Sequence, residues 1–116
     1  MESILTSIKN LLGITEEYDQ FDAVLIMHIN SVFMVLNQLG VGPDGGFSIT
    51  DKTQTWSEFI PIESSKFNSV KSYMHMKVKI LFDPPQSSIV MESMNRMISE
   101  LEWRLNVAAE APQPKE

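Results

Sequence analysis

Two consecutive prolines, Pro84 and Pro85 after Asp83, divide the stretch from Ser65 to Asn106 into two amphipathic segments. Proline lacks an amide donor and disfavours helical geometry in the residue before it, so a helix over the first segment must stop near Phe82 or Asp83. A second helix can restart at once, because Ser87 or Ser88 offers a side-chain oxygen to the free amides of a new first turn. The spacing predicts a helix from Ser88 to about Asn106, roughly five turns, and therefore a helical hairpin that the rest of the chain covers.

At about 100° per residue, Val90, Met94, Met97, Ile98, Leu101 and Leu105 share one face of the second helix, which is expected to be core. On the opposite side Glu92 precedes Arg96, and Glu100 precedes Arg104, by four positions, the favourable order for helical ion pairs worth about 0.2–0.5 kcal/mol each. Trp103 breaks this division, since it falls near Arg96 and Glu100 with Ile89 and Val107 in the same sector. The first helix carries two stripes: Phe67, Val70, Met74, Val78 and Leu81, and, well over about 100° away, Tyr73, Met76 and Ile80. Lys71, His75 and Lys79 run between them at spacing four, flanked by Asn68 and Ser72. One buried stripe per helix is all that a monomeric bundle requires. The surplus makes Tyr73, Met76, Ile80, Trp103 and Ile89 the candidate subunit interface. The same periodicity also fits a core helix contacted from two sides within one subunit.

Upstream, Ile4, Ile8, Leu11 and Leu12 stand at helical spacing, and Gly13 is placed to end that helix in a left-handed cap. Thr15-Glu16-Glu17-Tyr18-Asp19 offers a hydroxyl and carboxylates suited to the positive end of a following helix. The cluster lacks the alternating ligands and central glycine of a calcium loop. The next helix is expected from Gln20 or Phe21 to Leu39 as the central one, with Phe21, Leu25, Ile29, Val32, Phe33, Leu36 and Leu39 on its broad face and Met27 and Met34 on its back. His28, on the flank, reads as a hydrogen-bonded core residue. Gly40-Val41-Gly42-Pro43-Asp44-Gly45-Gly46 ends the helix and reads as a mobile loop, without the strand before it or the Gly-Lys-Ser/Thr ending of a nucleotide fingerprint. Its tip, Asp44 to Asp51, is a candidate contact region. Phe47-Ser48-Ile49 can form a short extended piece, and Thr53 to Phe59 one or two helical turns whose Trp56 and Phe59 form a lid, stopped by Pro61. Ser64 or Ser65 is expected to cap the hairpin.

The fold class that follows is all-α, a small bundle of four to five helices with a C-terminal helical hairpin and a glycine-rich loop. Residues 1–107 are expected to form a single domain and residues 108–116, with two prolines and few apolar side chains, a disordered tail. A net charge of −6 argues against tight non-specific attachment to nucleic acid or anionic lipid. The absence of cysteine removes disulfides and thiolate metal sites and fits a reducing compartment. No secretory signal opens the chain, which predicts a cytoplasmic protein when made. The uncharged run Ala23 to Val41 is interrupted by Asn30, Ser31, Asn37 and Gln38, which argues against a membrane span. No nucleophile with a base, no His-Glu-x-x-His and no facing carboxylate pair is present, since Glu100 and Glu102 project to different sides. Neither catalysis nor a cofactor nor a metal is expected.

Several pieces, taken in order, resemble the small head-tail connector proteins of long-tailed bacteriophages and of prophages in Gram-positive bacteria. They are Ile8-Lys9-Asn10-Leu11-Leu12-Gly13-Ile14-Thr15, the acidic approach to the second helix, and Asn30-Ser31-Val32-Phe33 through Leu36-Asn37-Gln38-Leu39-Gly40-Val41-Gly42. Thr55-Trp56-Ser57-Glu58-Phe59, Val70-Lys71-Ser72-Tyr73 and Leu81-Phe82-Asp83-Pro84-Pro85 follow, then Glu92 to Ile98 and Glu100 to Asn106. The order and spacing make the likeness specific, and no catalytic motif takes part in it. It implies an all-helical adaptor assembled as a homo-oligomeric ring, dodecameric on the virion, beneath the portal after DNA packaging and forming part of the channel to the tail. The implied partners are other copies of itself, the portal protein, a downstream stopper or tail-completion protein, and double-stranded DNA in transient, non-specific passage. The implied location is the virion neck after assembly in the host cytoplasm, with no membrane involved.

A ring needs a heterologous interface, which two separate apolar surfaces can supply. A conduit must pass DNA without gripping it, which suits an acidic chain with a modest Lys71/His75/Lys79 strip. Those three residues and Asp44, Gly45 and Gly46 are the candidate channel-facing or partner-facing positions. The alternatives are a small helix-turn-helix DNA-binding regulator or another neck or tail-completion protein. The regulator fits poorly, because its recognition helix would follow Asp83-Pro84-Pro85 and expose Glu92, Glu100 and Glu102 in place of residues that read base edges.

Overall fold

The computed structural model describes residues 2–110. Among these described residues five helices follow one another: α1 (Ile4–Leu11), α2 (Asp22–Gln38), α3 (Trp56–Phe59), α4 (Phe67–Phe82) and α5 (Ser88–Glu110). Among the described residues the only β pairing is a single antiparallel bridge between Ser3 and Thr55. The small all-α bundle read from the sequence is therefore the fold, with α4 and α5 as its C-terminal hairpin.

Local chemistry accounts for most helix ends. Ser3 caps α1 by accepting from the Thr6 amide at 3.2 Å. The first two helices close in the same way: Gly13 and Gly40 adopt φ +82 and +86. The Gly13 amide donates to Asn10 O (3.1 Å) and the Ile14 amide to Lys9 O (2.8 Å); Gly40 donates to Asn37 O (3.0 Å) and Val41 to Leu36 O (2.9 Å). Glycine takes the left-handed position at little cost, and the aliphatic residue after it folds back onto the core. The Asp83 amide closes α4 on Lys79 O at 2.8 Å. Ser87 Oγ accepts from Val90 N–H at 3.3 Å and opens α5.

Three boundaries differ from the sequence reading. The acidic stretch before α2 does not cap it: residues 15–21 run through tight turns, with Tyr18 N–H on Thr15 O and Asp22 N–H on Asp19 O, and the cap residue Phe21 makes no side-chain bond. Ser64 Oγ accepts from the Lys66 amide at 3.1 Å and lies two residues before the cap position of α4, which Lys66 occupies without a side-chain bond. α5 continues past Asn106 to Glu110, so residues 108–110 of the expected tail are helical, and residues 111–116 lie outside the described residues.

The central helix is α4, not α2, because α4 packs on each of the other three long helices. This resolves its two stripes. Val70, Met74 and Val78 join Ile4, Leu5 and Ile8 of α1 and Leu25, Ile29, Val32, Phe33 and Leu36 of α2 in one core. Tyr73 and Met76 are covered from the other side by α5, where Tyr73 Oη donates to Glu102 at 2.7 Å. Phe67 and Ile80 are half-buried against the same core. Leu81 stays half-exposed, while Phe82 meets Phe21 edge-on at 5.0 Å. α5 rests mainly on α4, and its apolar stripe is correspondingly narrower than its periodicity suggests. Ile98 and Leu105 are buried, Met94 and Leu101 half-buried, but Val90 and Met97 are about half exposed. Arg104 pairs with Glu100 at 2.7 Å, whereas Arg96 turns to Ser93 Oγ at 3.5 Å in place of Glu92.

The short α3 is a lid. Glu58 reaches back to accept from the Thr55 amide (3.1 Å) and hydroxyl (3.2 Å). Trp56 is buried, and its indole N–H donates to Ser7 Oγ at 2.8 Å, so α3 is pinned to α1. Phe33 of α2 gathers Phe59 (4.7 Å) and Phe47 (5.1 Å) around it. Asn30 fastens the connecting segment from below: its amide donates to Ile49 O (2.9 Å) and accepts from Ile49 N–H (2.8 Å). Gly42 lies beneath this aromatic group at φ +94, and a Cβ there would overlap the Phe59 ring. Gly42→Ala is therefore expected to cost about 2–4 kcal/mol, the sum of left-handed strain and overpacking. Thermal and urea denaturation would measure it, and a loss below about 0.5 kcal/mol would show that the loop yields freely.

Candidate functional site

The residues singled out in the sequence separate into three groups once the chain is folded. Tyr73 and Met76 belong to the protomer's interior, because α5 lies over them, and Ile80 is only partly open. Their stripe is satisfied within the chain. The phenol of Tyr73 is held strongly protonated, first by burial and then by its hydrogen bond to Glu102, with the charge of that carboxylate adding to both. Lys77, 3.9 Å from Glu102 and 6.0 Å from the Tyr73 ring centre, completes this link between α4 and α5.

Trp103 and Ile89 behave differently. They are 67% and 75% exposed on the side of α5 turned away from α4, and Val107 and Met97 add further exposed apolar surface. The same helical sector carries Arg96 and the Glu100–Arg104 pair. A second exposed apolar face lies outside the residues that the surplus stripes mark as an interface: Met27 and Met34, two turns apart on the back of α2, are 62% and 66% exposed. Their spacing of seven and the uncharged run around them were the available signal.

The third group forms the polar edges. Lys71 and His75 line a cleft of about 360 Å³ between α1 and α4, with Glu2, Asn10, Asn68 and Ser72. Lys71 is not free there, since Glu2 lies 2.9 Å from its Nζ, and Lys79 is likewise paired with Asp83 at 2.9 Å. Gly45 and Gly46 line a different cleft of about 380 Å³, with Phe33, Met34, Asn37, Gln38, Phe47 and Ser48, and Asp44 stands exposed beside it. The fold thus keeps the two halves of the proposed channel-facing set apart. His28 is half-buried, with its carbonyl accepting from Ser31 Oγ at 2.7 Å. Among the described residues no group of three metal-ligating side chains converges, and no helix is long and apolar enough to cross a membrane.

Sequence reasoning also missed Lys9. It is 2% exposed in the last turn of α1, with its ammonium 2.9 Å from Asp22 and donating to Glu16 O at 3.0 Å. A buried cation of this kind is announced by nothing in the periodicity.

His75 provides a pH test of the α1–α4 cleft. Burial, and then the charge of Lys79, push its imidazole below the ordinary value, against a hydrogen bond to the Leu11 backbone that favours the charged form. Folding thus favours neutral His75. The stability it contributes is complete above the unfolded value of about 6.5 and is lost as pH falls through the lower folded value. Melting temperature measured from about pH 7.5 down to about pH 5 is expected to fall less steeply in His75→Gln than in the parent chain. Parallel curves would show that the cleft does not sense its histidine.

No curated protein and no solved structure matches the chain. A family model described as phage connector protein matches residues 4–112, from the first residue of α1 to just past the last of α5. Every helix and both exposed apolar faces lie inside that span, and the chain belongs to the phage connector protein family, whose role is a structural one in the phage neck or connector.

Proposed function

We propose that this chain is the subunit of a homo-oligomeric ring that sits beneath the portal, receives a stopper or tail-completion protein below, and forms part of the channel through which DNA leaves the capsid. The observation that carries the reading is the outer face of α5, where Trp103, 67% exposed, stands with Ile89 and Val107 on a helix already packed along its other side. An indole left in water on a long, regular helix is the kind of group that becomes an interface anchor. Of the earlier interface set, Trp103 and Ile89 therefore remain as candidates, with Ile80 at the margin.

The charges support a conduit over a DNA clamp. Of the nine Lys and Arg residues, Lys9, Lys71, Lys77, Lys79 and Arg104 stand within 4.0 Å of a carboxylate. Neutralised cations release few counterions from DNA, and the net charge of −6 repels it. Glu102 is turned toward α4, and Glu92 and Glu100 remain exposed on α5, so the helix after the proline turn offers acids where a base-reading helix offers amides and guanidinium groups.

Trp103→Ala is expected to weaken ring formation or portal docking by about 2 kcal/mol or more per joint, about 30-fold in Kd. Because the indole makes little of the core, unfolding stability should change by less than about 0.5 kcal/mol. Light scattering over a concentration series with negative-stain imaging reads the first quantity and thermal melting the second. Equal losses in both would place Trp103 in the fold, and a dimer that shifts DNA in a gel would overturn the adaptor reading.

A further inference from the structure

Two apolar faces stay uncovered after folding, and they lie on different helices. The back of α2 presents Met27 and Met34, with Ser31 and Gln38 exposed beside them. No formal charge occurs from Ala23 to Val41. The outer side of α5 presents Trp103, Ile89 and Val107. Both helices pack on α4, from two of its sides, so the two faces are directed away from it and do not cover each other within one protomer.

We propose that these two faces meet between copies: the outer side of α5 in one subunit seats on the back of α2 in the next, as the repeating joint of the ring. This rests on the ring reading above and adds its interface. A joint between unlike faces leaves a free α2 face at one end and a free α5 face at the other, which is what closure into a ring requires. A joint of α5 on α5 would consume both faces in a two-fold dimer and stop.

Charge favours the unlike pairing. At net −6 each copy repels the next, so contact is cheapest where acid is absent, and the back of α2 lies in the longest run of the sequence without a charged side chain. The α5 face carries Arg96, which makes no ion pair among the described residues. Glu17 and Asp19, exposed just before α2, are likewise without an ion pair among those residues and supply the opposite sign at that edge. Chemistry fits as well. Methionine is unbranched and polarizable, and its thioether packs favourably against an aromatic ring, which makes Met27 and Met34 an adaptable seat for an indole.

Size explains why the joint should be weak alone. α2 has 17 residues and is about 25 Å long, so one helix laid along it buries less than the ~800 Å² per partner of an ordinary stable interface. Closure holds every copy at two joints and makes the second contact intramolecular, so the ring persists where an isolated pair does not.

The absence of cysteine permits a direct test. Ser31 and Ser99 are exposed neighbours of the two faces, and Ser31→Cys and Ser99→Cys are small changes. With a short bismaleimide linker, an equimolar mixture of the two single variants is expected to give a linked dimer at least ten times more abundant than either variant alone. The double variant should give a ladder of higher species. Met34→Glu in the double variant should cut the ladder at least tenfold without moving the melting temperature. Rings seen by negative stain that carry no link between positions 31 and 99 would overturn this joint and leave the adaptor reading standing. Ser99→Cys linking chiefly to itself would replace the joint with an α5 pair. Failure of the parent chain to form any oligomer, alone or with the portal protein, would overturn both.

Discussion

Everything in this protomer depends on α4 being buried along two sides at once. Of its 16 residues, Val70, Met74 and Val78 enter the core shared with α1 and α2, while Tyr73 and Met76 lie under α5. Burying a medium or large apolar side chain contributes about 1.5–3 kcal/mol, so either layer lost would remove a large part of a domain's marginal stability. The second layer also has a polar fixing point. The Tyr73 hydroxyl, 2.7 Å from Glu102, satisfies a group that would otherwise be costly to bury and sets the rotation of α5 about its own axis. That rotation decides which α5 residues face outward, and so the position of Trp103 is a consequence of a hydrogen bond made one residue away.

Much of this was legible in the sequence, and the failures have a common cause. The Asp83-Pro84-Pro85 break, the serine after it and the glycine after α1 act locally, through φ restriction and orphan amides, so the helices and the hairpin could be read directly. The two stripes of α4 were also visible. Periodicity reports that a stripe is apolar but not which molecule covers it, so for Tyr73 and Met76 it leaves a neighbouring subunit and a second layer of the same chain both open, and the fold supplies the second. The same limit applies in reverse to Val90 and Met97, which share the apolar face of α5 yet remain about half exposed. Non-local pairs were beyond reach altogether. Asn30 is a polar interruption in the sequence, but in the fold its amide fastens the Ile49 backbone at two points and gives an aperiodic loop a defined path.

Lys9 shows how a single buried charge can fix geometry without adding much stability. Its ammonium is almost wholly removed from water and has two partners, Asp22 at 2.9 Å and Glu16 O at 3.0 Å. The desolvation cost of such a pair roughly cancels its attraction, but breaking it by removing one partner is costly, so it selects one arrangement of α1 against α2. Position adds to this. Lys9 is in the last turn of α1 and Asp22 in the first turn of α2, where each charge opposes the partial charge of its own helix end. The acidic residues left over before α2 are consequently not needed for capping and remain exposed.

These features bear on how an acidic chain can assemble at all. A copy carrying net −6 is repelled by the next copy, and hydrophobic contact must exceed that repulsion over a small area. Five of its nine basic residues are paired with carboxylates inside the protomer, which in the proposed conduit would leave few free cations to grip a passing polyanion. That pairing also leaves the neutral back of α2 and the aromatic side of α5 as the surfaces on which contact is cheapest. Weak joints with this character close only when copies are held together at high local concentration, and a partner that already presents several equivalent seats supplies that condition. In the proposed ring, the same economy of charge that would let DNA pass would also make assembly depend on a scaffold.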